Sequence, residues 1–171
     1  MNKLHILVLI GLLTLISPVA SFAQAPPWTM VIGAGGLPDE GSINNYVVTG
    51  GGQELAPSGM TISGLGTNTF RYNVTDIGMN PQPGWNTFEL GYTDTSANAV
   101  ITATLFRVDR CTGLNVQLCQ ITSVTGNVNF CQTCTPFPEL IDFTLNLYYV
   151  QVDITRTAAG GNIKPKTLRI F

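Results

Sequence analysis

The chain has 171 residues, 10 acidic and 8 basic side chains, and a formal net charge of −2. Only 11% of its residues are charged while 44% are hydrophobic, the opposite of what keeps a chain disordered. The basic residues are scattered apart from Lys164, Lys166 and Arg169, so the concentrated cationic surface that nucleic acid requires is missing.

The N-terminus reads as an export signal. Lys3 supplies the positive start, and an apolar run from Leu4 to Ile16 follows, broken only by His5, Gly11 and Thr14. Pro18, Ala20, Ser21, Ala23 and Ala25 form the small-residue zone that precedes cleavage. The apolar run is shorter than the roughly 20 residues of a membrane-spanning helix, so the mature form is expected to have no transmembrane segment. Cleavage after Ala25 would place Pro26 beyond the scissile bond, which favours the cut after Ala23. The expectation is a signal peptide over 1–23, a single domain over 24–171, and a secreted product, extracellular or periplasmic. That length suffices for one buried core.

After the signal, no apolar 3.6-residue period persists, whereas a period of two recurs. Trp28–Ile32, Tyr46–Thr49 and Met60–Ile62 are candidate strands. In Thr69–Val74, Phe70, Tyr72 and Val74 alternate with polar neighbours; in Thr87–Tyr92, Phe88, Leu90 and Tyr92 do so. Val100–Val108 is apolar on both parities, as a central strand would be. Val116–Val124, Tyr148–Ile154 and Thr167–Phe171 complete the set. Ile141, Phe143, Leu145 and Leu147 alternate on the parity opposite to Tyr148–Ile154, which predicts a bulge or a change of sheet. Frequent Gly and Pro between these runs predict an all-β fold, a single antiparallel β-sandwich of jelly-roll or immunoglobulin-like topology. An outer-membrane barrel is excluded because the parity of Phe171 continues through Arg169, Thr167 and Pro165, which cannot face lipid.

Two hairpins are expected. Asp109 opens one turn and Gly113 supplies its positive φ. Val124-Thr125-Gly126 forms the other, giving a meander from Val100 to Phe130. In that register Cys119 faces Cys131, at roughly 4.5–5.5 Å between Cα atoms. The even count of four cysteines in an exported chain favours disulfides. The expected framework is Cys119–Cys131 with Cys111–Cys134. The Cys131–Cys134 CxxC pair lacks the helix that lowers a redox thiol's pKa, and the spacing from Cys111 to Cys119 does not suit zinc.

Catalytic signals are weak. The one histidine, His5, leaves with the signal, which removes imidazole-based hydrolysis and most transition-metal sites. Gly33 and Gly35 begin a dinucleotide fingerprint, but Pro38 stands where its third Gly belongs. Asp76, Glu89, Asp94, Asp109, Asp142 and Asp153 offer carboxylates for glycoside hydrolysis, yet no spacing selects a pair. The chain is therefore read as a non-enzyme without catalytic, cofactor or metal residues. The leading expectation is an exported structural or surface-interaction protein. Alternatives are a carbohydrate-binding module, with Trp28, Trp85 and Tyr149 as ligand contacts, or a pilus-like subunit. In the latter, Gln24–Met30 would pair with a neighbour's sheet edge. Partners would be copies of itself, in an oligomer or filament, or surface glycans and proteins.

Overall fold

Side chains alternate across a strand, so a run with apolar residues at every second position buries one face and leaves the other to water. That pattern organises most of this chain. The computed structural model describes residues 25–34, 36–39, 46–50, 57–62, 65–76, 81–135 and 139–171. The expected signal over 1–23 and Gln24 lie outside them. Among the described residues, no helix is long and apolar enough to cross a membrane.

In chain order the strands are β1 (Trp28–Val31), β2 (Leu37–Pro38), β3 (Tyr46–Gly50), β4 (Pro57–Ile62), β5 (Gly66–Val74) and β6 (Phe88–Asp94). They continue with β7 (Ala99–Asp109), β8 (Asn115–Thr122), β9 (Asn127–Cys134), β10 (Asn146–Arg156) and β11 (Ile163–Ile170). A four-stranded sheet has the order β1-β11-β6-β9, and a five-stranded sheet the order β2-β5-β10-β7-β8. β3 and β4 form a separate antiparallel pair. Among the described residues, all pairings are antiparallel. The all-β, two-sheet arrangement matches a β-sandwich.

The inward side chains of both large sheets form one core. Phe70 and Tyr72 of β5, Ile101 and Leu105 of β7, and Val150 and Val152 of β10 come from the five-stranded sheet. Phe88, Leu90 and Tyr92 of β6, with Leu168 and Ile170 of β11, come from the other. Each large apolar side chain so buried contributes roughly 1.5–3 kcal/mol. Trp85 is also fully buried and donates Nε1–H to the Ala25 carbonyl at 3.2 Å. Tyr72 likewise satisfies its hydroxyl on the Ile32 carbonyl at 3.0 Å.

β11 extends further toward its N-terminus than the alternation predicts. Pro165 and Lys166 interrupt the pattern, but a bulge between Pro165 and Thr167 accommodates them within the pairing to β6. Bulges are where a strand tolerates proline. The alternation at Ile141, Phe143 and Leu145 is not a strand. It belongs to a turned segment in which Asn146 N–H donates to the Asp142 carbonyl, with Ile141 buried and Leu145 exposed.

The predicted meander is corrected at its second turn. The first hairpin, β7–β8, forms as read: Asp109 accepts the amides of Cys111 and Thr112, and Gly113 has φ +71°. The second connection crosses from one sheet to the other, because β8 is an edge of the five-stranded sheet and β9 an edge of the four-stranded one. Buried Asp94 anchors this crossing. Its carboxylate accepts Ser123 Oγ–H at 2.5 Å and Ser96 N–H at 3.1 Å, while its carbonyl accepts Gly126 N–H at 2.8 Å. Ser123 Oγ in turn accepts Ile101 N–H at 3.0 Å.

This crossing overturns the predicted disulfides. β9 pairs with β6, placing Cys131 opposite Gly91 on the outer surface of the four-stranded sheet. Cys134, three residues on, has the opposite parity. It bonds Cys119, with the two Cα atoms 6.2 Å apart, and so joins the two sheets. Neither Cys119–Cys131 nor Cys111–Cys134 forms; Cys111, at the β7–β8 turn, and Cys131 are exposed free thiols. There is one disulfide where two were expected.

Candidate functional site

The expected ligand contacts separate once burial is known. Trp28 is only 4% exposed and Trp85 is fully buried, so both belong to the core and neither presents a ring to a ligand. A long apolar side chain near a proline-rich loop looks exposed in sequence, but the loop here folds inward. Ala25 N–H bonds the Pro83 carbonyl and Phe143 N–H the Pro81 carbonyl, closing the segment over the end of the core. Phe143 then meets the Trp85 ring edge-on at 6.1 Å. The segment read as a strand donor is also engaged within the chain: Trp28, Thr29 and Met30 pair with Ile170, Arg169 and Leu168.

Tyr149 differs. It lies on the outward parity of β10, at the centre of the five-stranded sheet, opposite Asn73 of β5 on one side and Phe106 of β7 on the other. The Tyr149 and Phe106 rings are stacked, with centroids 5.0 Å apart and planes 17° from parallel. Gln117 of β8 extends the row beyond Phe106. A second row crosses the sheet two residues along β5, β10 and β7 and three along the bulged β8: Leu37, Arg71, Gln151, Thr104 and Gln120. A third consists of Thr69, Asp153, Thr102 and Thr122.

This outer face is polar, neutral in balance and partly preorganised. Asp153 accepts Thr69 Oγ1–H at 2.6 Å and Gln151 Nε2–H at 2.9 Å. Gln120 Nε2–H donates to Thr104 Oγ1 at 3.1 Å. These bonds fix the amides beside the stacked rings, each with unused donor and acceptor capacity. β8 reaches the face through its bulge. Leu118 and Cys119 are consecutive and both buried, and the register shift between Leu105 and Phe106 turns Gln117 outward.

Past the aromatic row, the end of the sheet holds a cleft of about 540 Å³. The end of β5 lines it with Asn73, Val74, Thr75 and Asp76; Arg110, Phe143, Leu147 and Tyr148 complete the lining. Arg110 is anchored by an Nη1–H bond to the Thr144 carbonyl at 2.9 Å. Burial pushes the Tyr148 phenol above its ordinary pKa. Its oxygen accepts Asp142 N–H at 2.8 Å and its hydroxyl donates to the Asp142 carbonyl at 3.3 Å.

The six candidate carboxylates are dispersed. Asp94 is in the interior, Asp109 and Asp142 organise turns, and Glu89 lies on the other sheet opposite Arg169. Asp153 is on the aromatic face, and Asp76 lines the cleft. Among the described residues, no group of three His, Cys, Asp or Glu side chains is placed to hold a metal ion.

Of the residues on this face, sequence reasoning singles out Tyr149 and passes over Phe106, Gln117, Gln120, Gln151 and Arg71. A signal for Phe106 existed. A central strand with apolar residues on both parities must put some of them on its outer face, and Phe106 is the largest of those in β7.

The chain matches no protein-family model and none of the curated proteins. Among solved structures, a "xylan-binding module CBM15" aligns with a TM-score of 0.40 and 16% identity, covering 85% of this chain and 96% of that one.

Proposed function

We propose that this is an exported, non-catalytic surface-interaction module that holds a neutral polysaccharide against the outer face of its five-stranded sheet. The observation that carries this reading is the stacked Phe106–Tyr149 pair bordered by Asn73, Gln117, Gln151 and Gln120. A pyranose ring has an apolar C–H face and a rim of hydroxyls that both donate and accept. Flat aromatic surface suits the first and primary amides suit the second. A nucleic acid or an acidic polymer would ask for a run of cations, whereas the face carries Arg71 and Asp153 side by side with neutral groups. The interior disulfide is compatible with an oxidising compartment outside the cytosol.

The test is a glycan array with the wild type and with Phe106→Ala, Tyr149→Ala and Gln151→Ala. Binding of a neutral polysaccharide that either aromatic substitution reduces by about tenfold or more supports the reading, a loss in keeping with stripping an aromatic anchor from a binding surface. Binding unaffected by all three substitutions, or confined to charged glycans, overturns it. Reproducible turnover of any bound glycan would overturn the non-catalytic part.

A further inference from the structure

The cleft beyond the aromatic row has a composition of its own. Asp76 and Arg110 bring one acceptor group and one donor group, Asn73 brings both, and Phe143 and Leu147 are apolar. Its volume lies within the range of small-molecule sites, roughly 300–1,000 Å³. The Nη1–H bond to Thr144 uses one of the five guanidinium donors of Arg110. Tyr148 has committed its hydroxyl to Asp142 and offers only ring surface.

We infer that this cleft takes a single neutral pyranose, the terminal unit of the glycan whose following units lie on Tyr149 and Phe106. The inference rests on the glycan reading of the face and sharpens it to recognition of a chain end. A vicinal diol can donate to the Asp76 carboxylate and accept from Arg110 while its ring packs on Leu147 and Phe143. The opposite charges of Asp76 and Arg110 leave the cleft without a net cation to draw a uronic or sulfated sugar. Position argues for the terminal unit. Leu147 is two residues before Tyr149 on β10, about 7 Å at the usual strand rise, so cleft and aromatic row serve consecutive units. The turned segment holding Phe143 and supporting Arg110 stands at the end of the sheet, where the glycan would stop.

The experiment follows backbone amide NMR spectra of the folded protein during titration with D-glucose, D-galactose, D-mannose, D-xylose and N-acetyl-D-glucosamine. At least one sugar is expected to shift the amides of Asn73, Asp76 and Leu147 saturably. Asp76→Asn and Arg110→Gln should weaken that binding by about tenfold, as for a lost hydrogen bond to a charged group. Tyr149→Ala should weaken the binding of oligosaccharides long enough to reach the aromatic row. All three substituted side chains lie at the surface or on the outer face, and unchanged amide shifts elsewhere verify the fold. Silence at the cleft with every sugar, or shifts confined to Phe106 and Tyr149, overturns the inference. Glycan-array binding with a silent cleft leaves the face reading intact. An empty array removes the face reading, and the cleft as a monosaccharide site then stands or falls on its own shifts.

Discussion

Asp109 and Asp142 use their carboxylates in the same way, each gathering the donors of a turn. Hydrogen bonds from Thr112 and the Cys111 amide hold Asp109 below its ordinary pKa, and those from Thr144 and Gln82 do the same for Asp142. Because both folded pKa values are depressed, their stabilisation is complete above the unfolded carboxylate value of about 4 and is lost as pH falls through the folded values. Urea midpoints followed from neutral into strongly acid solution should therefore drop below about pH 4. The double variant D109N/D142N should show a shallower acid limb, and an identical limb would contradict the assignment. The Asp109 turn was legible because its chemistry is local: one carboxylate, two following amides and Gly113. Burial is the commoner fate of a tryptophan and is the reading the sequence favours for both, but the loops that close over them from elsewhere in the chain were not legible. Thiols make the second test at this scale. Alkylation of the native protein should label Cys111 and Cys131, and mapping without reduction should recover the Cys119–Cys134 link. Recovery of Cys119–Cys131 would show that β9 pairs with β8 after all.

Strands were read more securely than their partners. Alternation located the cores of β5, β6, β7 and β10, because a half-buried strand shows its period within a few residues. Which sheet a strand joins is decided by distant pairings, and the step from Thr122 to Asn127 looks like a hairpin whether or not its strands adjoin. Parity within β9 bears on the disulfide as well. Cys131 and Cys134 are an odd number of residues apart in one strand, so only one of them can face the other sheet. Glycines at positive φ divide in the same manner between local and tertiary demands. Gly113 and Gly161 have φ of +71° and +67°, but an added Cβ meets open space at Gly113 and the Ser96 main chain at Gly161. Gly113→Ala is expected to cost about 1 kcal/mol through backbone strain, and Gly161→Ala distinctly more. Chemical denaturation of the two variants gives the order, and equal losses would refute the contact. Cys119→Ser with Cys134→Ser should cost about 2–4 kcal/mol by removing the tie between the sheets.

For the whole molecule, the proposed function places the glycan on the outer face of the five-stranded sheet, with the cleft at its end. Its binding free energy is expected to come from ring stacking and hydrogen bonds, not from charge. Affinity for a neutral glycan should therefore change little between low and moderate salt, because counterion release contributes nothing. A steep salt dependence in an affinity-gel or calorimetric titration would show that Arg71 or Arg110 is binding an anion instead. The all-β class was legible from composition, period and turn residues together, whereas the face emerged only when four strands brought Asn73, Phe106, Gln120 and Tyr149 alongside one another. The bond between Cys119 and Cys134 has one further consequence, which concerns force. A protein holding a polymer in moving fluid is under tension, and the disulfide locks the 15-residue separation between its cysteines out of any extension. At roughly 3.3–3.6 Å per residue that is about 50 Å of contour length. A single molecule stretched by its ends should therefore unravel about 50 Å further once reduced, and the oxidised chain should keep the edges of its two sheets tied together after its other strands have come apart.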